Sequence, residues 1–204
     1  MRKPFGYDQA QTLGEFKALP AGGYVCIIKQ VQETKSKSGN DMIVVSFDIC
    51  EGDYKGYYEQ MYRRDTRPEK KWRGVARQVT TGADGTTSAG FKTFCTSVEK
   101  SNPGFVINWG DGPAWGDQFK NRLVGGIFRR EEYQKQDGSS GWSTKLDMYR
   151  SVETIRNCDY ATPEDKPLEA QKGYVAPKPQ YAQADLSSFM AIPDGVEDAG
   201  LPFN

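Results

Sequence analysis

Histidine is missing altogether from the 204 residues. Ser-His-Asp and Cys-His nucleophiles both depend on an imidazole base, so those hydrolytic chemistries are excluded. Carboxylate or lysine chemistry stays open, but no motif supports it, and the chain reads as a non-enzyme. Long apolar runs are also lacking. Stretches such as Met42-Ile43-Val44-Val45 fall far short of the roughly 20 residues a bilayer requires, and mean hydropathy is −0.72. Met1-Arg2-Lys3-Pro4-Phe5-Gly6 has no apolar core behind its charges, unlike a secretory signal. A soluble, cytoplasmic protein is expected. Cysteine is sparse: Cys26, Cys50, Cys95 and Cys158 are far apart and form no C-x-x-C pair. Zinc sites bring their ligands in close pairs, so reduced structural thiols are expected, with no metal or other cofactor.

Net charge is absent too, with 27 basic and 27 acidic residues, but the balance hides a split. Residues 161–204 hold seven acids against three lysines, which leaves residues 1–160 at +4 and the remainder at −4. Such asymmetry suggests a body that meets an anion and a tail with a separate task. From Ala161 onward periodicity vanishes and six prolines punctuate a polar stretch. A segment of this composition cannot bury enough apolar surface to order itself. The expected organisation is a domain over 1–160 with an N-terminal arm, then an acidic disordered tail over 161–204.

Within the body, Tyr24–Val31 is rich in β-branched and aromatic residues and reads as a strand. After the polar turn Lys35–Asn40, residues 41–50 alternate, with Ile43, Val45, Phe47 and Ile49 sharing one face. Tyr57–Arg64 reads as a third strand. The next segment, basic at first and rich in Gly, Thr and Ser later, reads as a short helix and then a loop. Phe91, Phe94, Cys95 and Val98 fall at i, i+3, i+4 and i+7, an apolar helical face closed by Ser101-Asn102-Pro103-Gly104. Residues 123–133 and 142–155 read as strands four and five around a Gly-rich hairpin loop. Mainly β, with five strands and a helix between strands three and four, is the arrangement of the OB-fold barrel.

Four features bear on function. Tyr57, Tyr58, Tyr62, Arg63, Arg64, Arg67, Lys70, Lys71, Trp72 and Arg73 crowd into seventeen positions. Single-stranded DNA offers phosphates to cations and flat faces to rings; the tyrosines could equally turn into the core. On the last strand pair, Arg129 and Arg130 are expected opposite Lys145, Tyr149 and Arg150, beside Trp142. Lys35 and Lys37 lie in the first hairpin loop and Lys135 in the last, where OB-folds take nucleic acid; Glu131 and Glu132 could neutralise this second set. Trp109 and Trp115 sit in a Gly/Asp loop, where capping of the barrel end is the favoured role. Finally, Glu197, Asp198, Leu201, Pro202 and Phe203 set an apolar knob beside acids, a fit for a greasy pocket rimmed by Arg or Lys on a partner protein.

These residues carry a resemblance. Acids followed by Leu201-Pro202-Phe203 resemble the tip of bacterial single-stranded-DNA-binding proteins, which docks replication and repair enzymes. In those tips the final Phe carries the free carboxylate, whereas here Asn204 follows Phe203. The body is similar to a family of bacteriophage proteins, once of unknown function, that are taken to be phage single-stranded-DNA-binding proteins. The matching stretches are A-L-P-A-G-G-Y-V-C-I-I-K from Ala18, S-K-S-G from Ser36, F-D-I-C-E-G-D-Y-K-G-Y-Y from Phe47, K-K-W from Lys70, F-K-T-F-C-T-S-V-E-K-S-N-P-G-F from Phe91 and L-V-G-G-I-F-R-R-E-E-Y from Leu123. The resemblance implies single-stranded DNA as ligand, replication or recombination proteins as partners of the tail, and the host cytoplasm as location. Oligomeric state stays open, a homo-oligomer included. The rival expectation is a protein-interaction module or an inhibitor of a host enzyme that does not bind DNA.

Overall fold

The computed structural model describes residues 2–5, 7, 17–82, 84–110 and 114–168, all within one compact unit, Met1–Gln171. The expected acidic tail beyond 168, including its Leu-Pro-Phe knob, lies outside the described residues. Strand β1 (Gly22–Lys35) and β2 (Asp41–Ile49) form the expected hairpin, followed by helix α1 (Tyr57–Arg64), strand β3 (Val75–Val79) and helix α2 (Ala89–Ser101). A 3₁₀ turn (Trp115–Phe119), strands β4 (Leu123–Gln134) and β5 (Ser140–Arg150) and the short helix α3 (Val152–Arg156) complete the order. The strands make one antiparallel sheet in the order β3-β2-β1-β4-β5.

The sheet is open. Its edge strands β3 and β5 do not pair with each other, but residues 75–78 and 145–149 line opposite sides of a common cleft. The sheet is thus not closed into the expected barrel, and the helix arrangement also departs from expectation. The segment Tyr57–Arg64, expected as strand three, is helix α1, and the strand comes later, within the segment expected to be helix and loop.

A cap supplied from a distance explains α1. Gly56 enters the helix at φ 71°, a left-handed conformation natural to glycine, and offers no side-chain cap. Asp48 of β2, only 2% exposed, supplies it instead. Its Oδ1 accepts from the Tyr58 N–H at 2.9 Å and its Oδ2 from the Glu59 N–H at 3.2 Å. These are the second and third helical N–H groups, the ones an N-cap side chain normally satisfies. An ion pair between Glu59 and Arg63 at i, i+4 adds to the helix.

Register is set by apolar alternation and by bulges. Ile43, Val45, Phe47 and Ile49 of β2 are all buried, as their spacing predicts. In β1 the inward set changes parity, from Cys26 and Ile28 to Val31. A bulge between Ile28 and Gln30 causes the switch, leaving Lys29 as the extra residue. One inserted residue exchanges the faces of everything beyond it.

The main core gathers Cys26, Ile28, Val45, Phe47, Phe94, Val98, Phe119 and Phe128 between the sheet, α1, α2 and the 3₁₀ turn. Helix α2 starts on Ser88, whose Oγ accepts from Phe91 N, and presents the expected face, with Phe91, Phe94, Cys95 and Val98 buried. Asn102 ends it by bonding the carbonyls of Val98 and Leu123 and the N–H of Leu123, which ties α2 to β4. Residues 151–155, expected to continue strand five, turn instead into α3. Ser151 caps that turn by accepting from Thr154 N, and Val152 and Ile155 close a smaller core over Val25 and Ile127. Residues 161–168 were expected in the tail, yet Lys166 bonds the backbone of Arg130 and Glu132 along β4.

Candidate nucleic-acid interface

A groove of about 730 Å³ opens between α1, β1, β2 and the 3₁₀ turn. Helix α1 contributes Tyr62 and Arg63, and the irregular chain after it contributes Lys70 and Trp72. Their placement follows from the cap on Asp48: a strand would have sent alternate side chains to opposite faces, whereas the capped helix brings 59, 62 and 63 to one side. Trp72 is fixed by its indole N–H, which donates to the Phe47 carbonyl at 3.1 Å. Its ring lies 5.8 Å from the Tyr62 ring, inclined at 48°. Lys70 Nζ stands 4.6 Å from the centre of the Tyr62 ring, an attraction between ammonium and π-face.

The groove also holds cations that sequence reasoning missed, Lys29 and Lys120. Lys29 is the bulge residue of β1, and bulges re-aim side chains in this way. Its one sequence signal is a charge interrupting the apolar run V-C-I-I-K. Lys120 follows the 3₁₀ turn, whose Gly116 sits so tightly that a Cβ there would meet the Val31 carbonyl oxygen at 2.1 Å. Gln30 and Ser46, paired across β1 and β2, floor the groove with neutral polar groups. Glu59 and Asp117 are its acids, and Glu59 is paired with Arg63. Four cations, two rings and two acids give a concave, net positive surface able to hold a polyanion carrying flat groups.

Other expected site residues are placed elsewhere. Tyr58 and Tyr149 are core residues at 5% and 4% exposure, and so are not on a binding surface. Burial raises both phenols far above the ordinary tyrosine value, with the Cys26 thiol adding to each. Arg64 and Lys71 are exposed and do not line the groove. Arg73 and Lys145 line the cleft between the sheet edges. Lys35 is paired with Asp41 at the β1–β2 turn, and Lys37 is exposed there.

The β4–β5 ladder corrects another expectation. Arg129 does oppose Lys145, but Arg130 opposes Thr144, while Tyr149 and Arg150 oppose Gly126 and Gly125. Most of its cations have carboxylate partners: Arg129 bonds Asp147 at 2.7 Å, Arg130 bonds Asp165 at 3.0 Å, and Lys145 bonds Glu131 at 3.0 Å. Burial pushes the Glu131 carboxyl up, but the Lys145 hydrogen bond and the charges of Lys145, Lys166 and Arg129 outweigh it and hold it low. Arg130 also covers the ring of Trp142 at 4.9 Å. Trp115 packs against the core, and Trp109, 63% exposed, stacks on it at 5.7 Å and 28°.

Among the described residues, no group of three or more Cys, Asp or Glu is placed to hold a metal ion. No described helix is long and apolar enough to cross a membrane. Residues 5–101 match a family described as a protein of unknown function, DUF669. The matched stretch runs from β1 through α2 and so carries Lys29, Tyr62, Arg63, Lys70 and Trp72, while Lys120 lies outside it. No curated protein matches the chain.

Proposed function

We propose that this protein binds single-stranded DNA with little sequence preference, as the resemblance to phage single-stranded-DNA-binding proteins implies. The observation that carries the reading is the groove in which Lys29, Arg63, Lys70 and Lys120 surround the Tyr62–Trp72 pair. Cations track phosphates and ring faces stack on bases, and neither contact distinguishes one base from another. The protein would shield and straighten the strand in the host cytoplasm, with no bond made or broken. The acidic segment with Glu197, Asp198 and the Leu201-Pro202-Phe203 knob would recruit replication or recombination proteins.

Titration of a fluorescent oligo-dT at several salt concentrations tests the reading. Affinity is expected to fall linearly with salt on logarithmic axes as counterions are released. No binding at low salt refutes it and leaves a protein-interaction module as the better account.

A further inference from the structure

Beside the C-terminal half of β5, a second concavity of about 270 Å³ has no acidic lining. Lys92 and Lys100 of α2 and Arg150 of β5 surround it, with Thr96, Ser97 and Ser151 between them. On α2, Lys92, Thr96 and Lys100 fall at i, i+4 and i+8 and form one stripe. A solvated lysine on a helix can be steadied by an acid three or four residues away. Here those positions hold Ser88, Ala89, Cys95, Thr96, Ser97, Pro103 and Gly104. The one acid of α2, Glu99, accepts from the Ile107 N–H. Nor does any of the three cations form an ion pair among the described residues, in contrast to Arg129, Arg130 and Lys145 on the same sheet. Cations interleaved with hydroxyls, with no carboxylate, are the donor set for phosphate oxygens.

The position of this cradle connects it to the groove. The cleft between the sheet edges, about 610 Å³, shares Thr93 with the cradle, and its Tyr149 precedes Arg150. Arg73, which also lines the cleft, follows Trp72 of the groove in sequence. We propose that the α2–β5 cradle is a second phosphate site, taking the backbone of a single strand that leaves the groove past Arg73 and crosses the cleft. This rests on the reading of the groove as the primary DNA site.

The test compares Lys92→Ala/Lys100→Ala with the wild type on a short oligo-dT of about five nucleotides and a long one of about twenty, spanning the usual range of site sizes. Both lysines are exposed on a helix, so the fold is expected to survive; matching circular dichroism melts verify this. On the long strand the salt slope should shrink by about 1.4, at about 0.7 for each lost phosphate contact. The short strand should bind as to wild type, and Lys92→Arg/Lys100→Arg should restore the long-strand slope. An unchanged slope on the long strand, or equal losses on both lengths, overturns the second site. Failure of the wild type to bind either oligonucleotide overturns the groove reading instead, and this proposal falls with it.

Discussion

Replacing Asp48 tests both the fold and the groove, because one buried carboxylate holds the start of the helix that carries Tyr62 and Arg63. Asp48→Ala removes the acceptor for the N–H groups of Ile49, Tyr58 and Glu59. Loss of an N-cap side chain costs about 0.5–2 kcal/mol, and each buried donor left without a partner costs roughly 1–3 kcal/mol. Because Ile49 and Tyr58 are in the core while Glu59 is half-exposed, two full orphans and one that water can reach are counted. The sum is about 5 kcal/mol. At about 2–4 °C per kcal/mol for a chain of this size, the melting temperature should fall by roughly 10–20 °C. Asp48→Asn keeps one acceptor oxygen and should lose about half as much. The assay is thermal unfolding followed by circular dichroism. As control, Ile155→Ala opens a cavity in the small core under α3, at a similar cost of about 2–5 kcal/mol. Asp48→Ala should weaken binding of the short oligo-dT of about five nucleotides in the folded state, and Ile155→Ala should not. A melting temperature within about 2 °C of wild type for Asp48→Ala would refute the cap, and equal binding losses in the two variants would refute its link to the groove.

Trp72→Ala should weaken oligo-dT binding by about 1–3 kcal/mol, the worth of one stacked base, while Trp72→Phe should retain much of it; fluorescence anisotropy measures both. Gly116→Ala drives a Cβ toward the Val31 carbonyl and should lower stability by about 1–3 kcal/mol through forced displacement of the 3₁₀ turn, read by urea unfolding. Among the thiols, exposed Cys158 should react with an aromatic disulfide reagent within the native state, and Cys26 and Cys95 only on unfolding. Burial, with Glu99 adding, raises the Cys95 thiol to about 12. The unfolded chain therefore releases that proton first, near the ordinary thiol range, and stability falls as pH climbs from there toward 12. Cys95→Ala should flatten this alkaline limb, and an unchanged limb in pH-dependent urea melts would refute the assignment.

What could be read from the sequence follows from how local its causes are. The β1–β2 hairpin and the buried face of α2 were legible because alternation and i, i+3, i+4 spacing act within a few residues. Helix α1 was not, since its aromatic composition suits a strand and its cap sits nine residues before the helix begins, on a different element. Nor were the cleft and the open sheet, which depend on where β3 and β5 end in space. Four of the ten residues in the aromatic–cationic cluster reach the groove for the same reason. Helical phase takes Tyr62 and Arg63 there, sends Tyr58 to the core, and leaves Lys71 outside on the chain beyond.

Charge shows the difference between amount and placement. The excess of four positive charges in residues 1–160 suggests an anion partner, and the densest cationic stretch of β4, Arg129-Arg130, is an expected part of its site. In the fold, carboxylates from β4, β5 and the chain after α3 stand against that stretch. A phosphate approaching there must displace an acid already in place, and exposed ion pairs exchange with little net gain. In the groove, Lys29 and Lys120 meet no carboxylate within ion-pair distance among the described residues, and Lys70 rests on a ring. A phosphate arriving there displaces only counterions, and their release is what drives binding. The partitioning of acids, more than the number of bases, therefore selects the groove over the hairpin. Charge reversal should show it: Lys29→Glu should cost far more oligo-dT affinity than Arg130→Glu, and the opposite order would return the site to the hairpin.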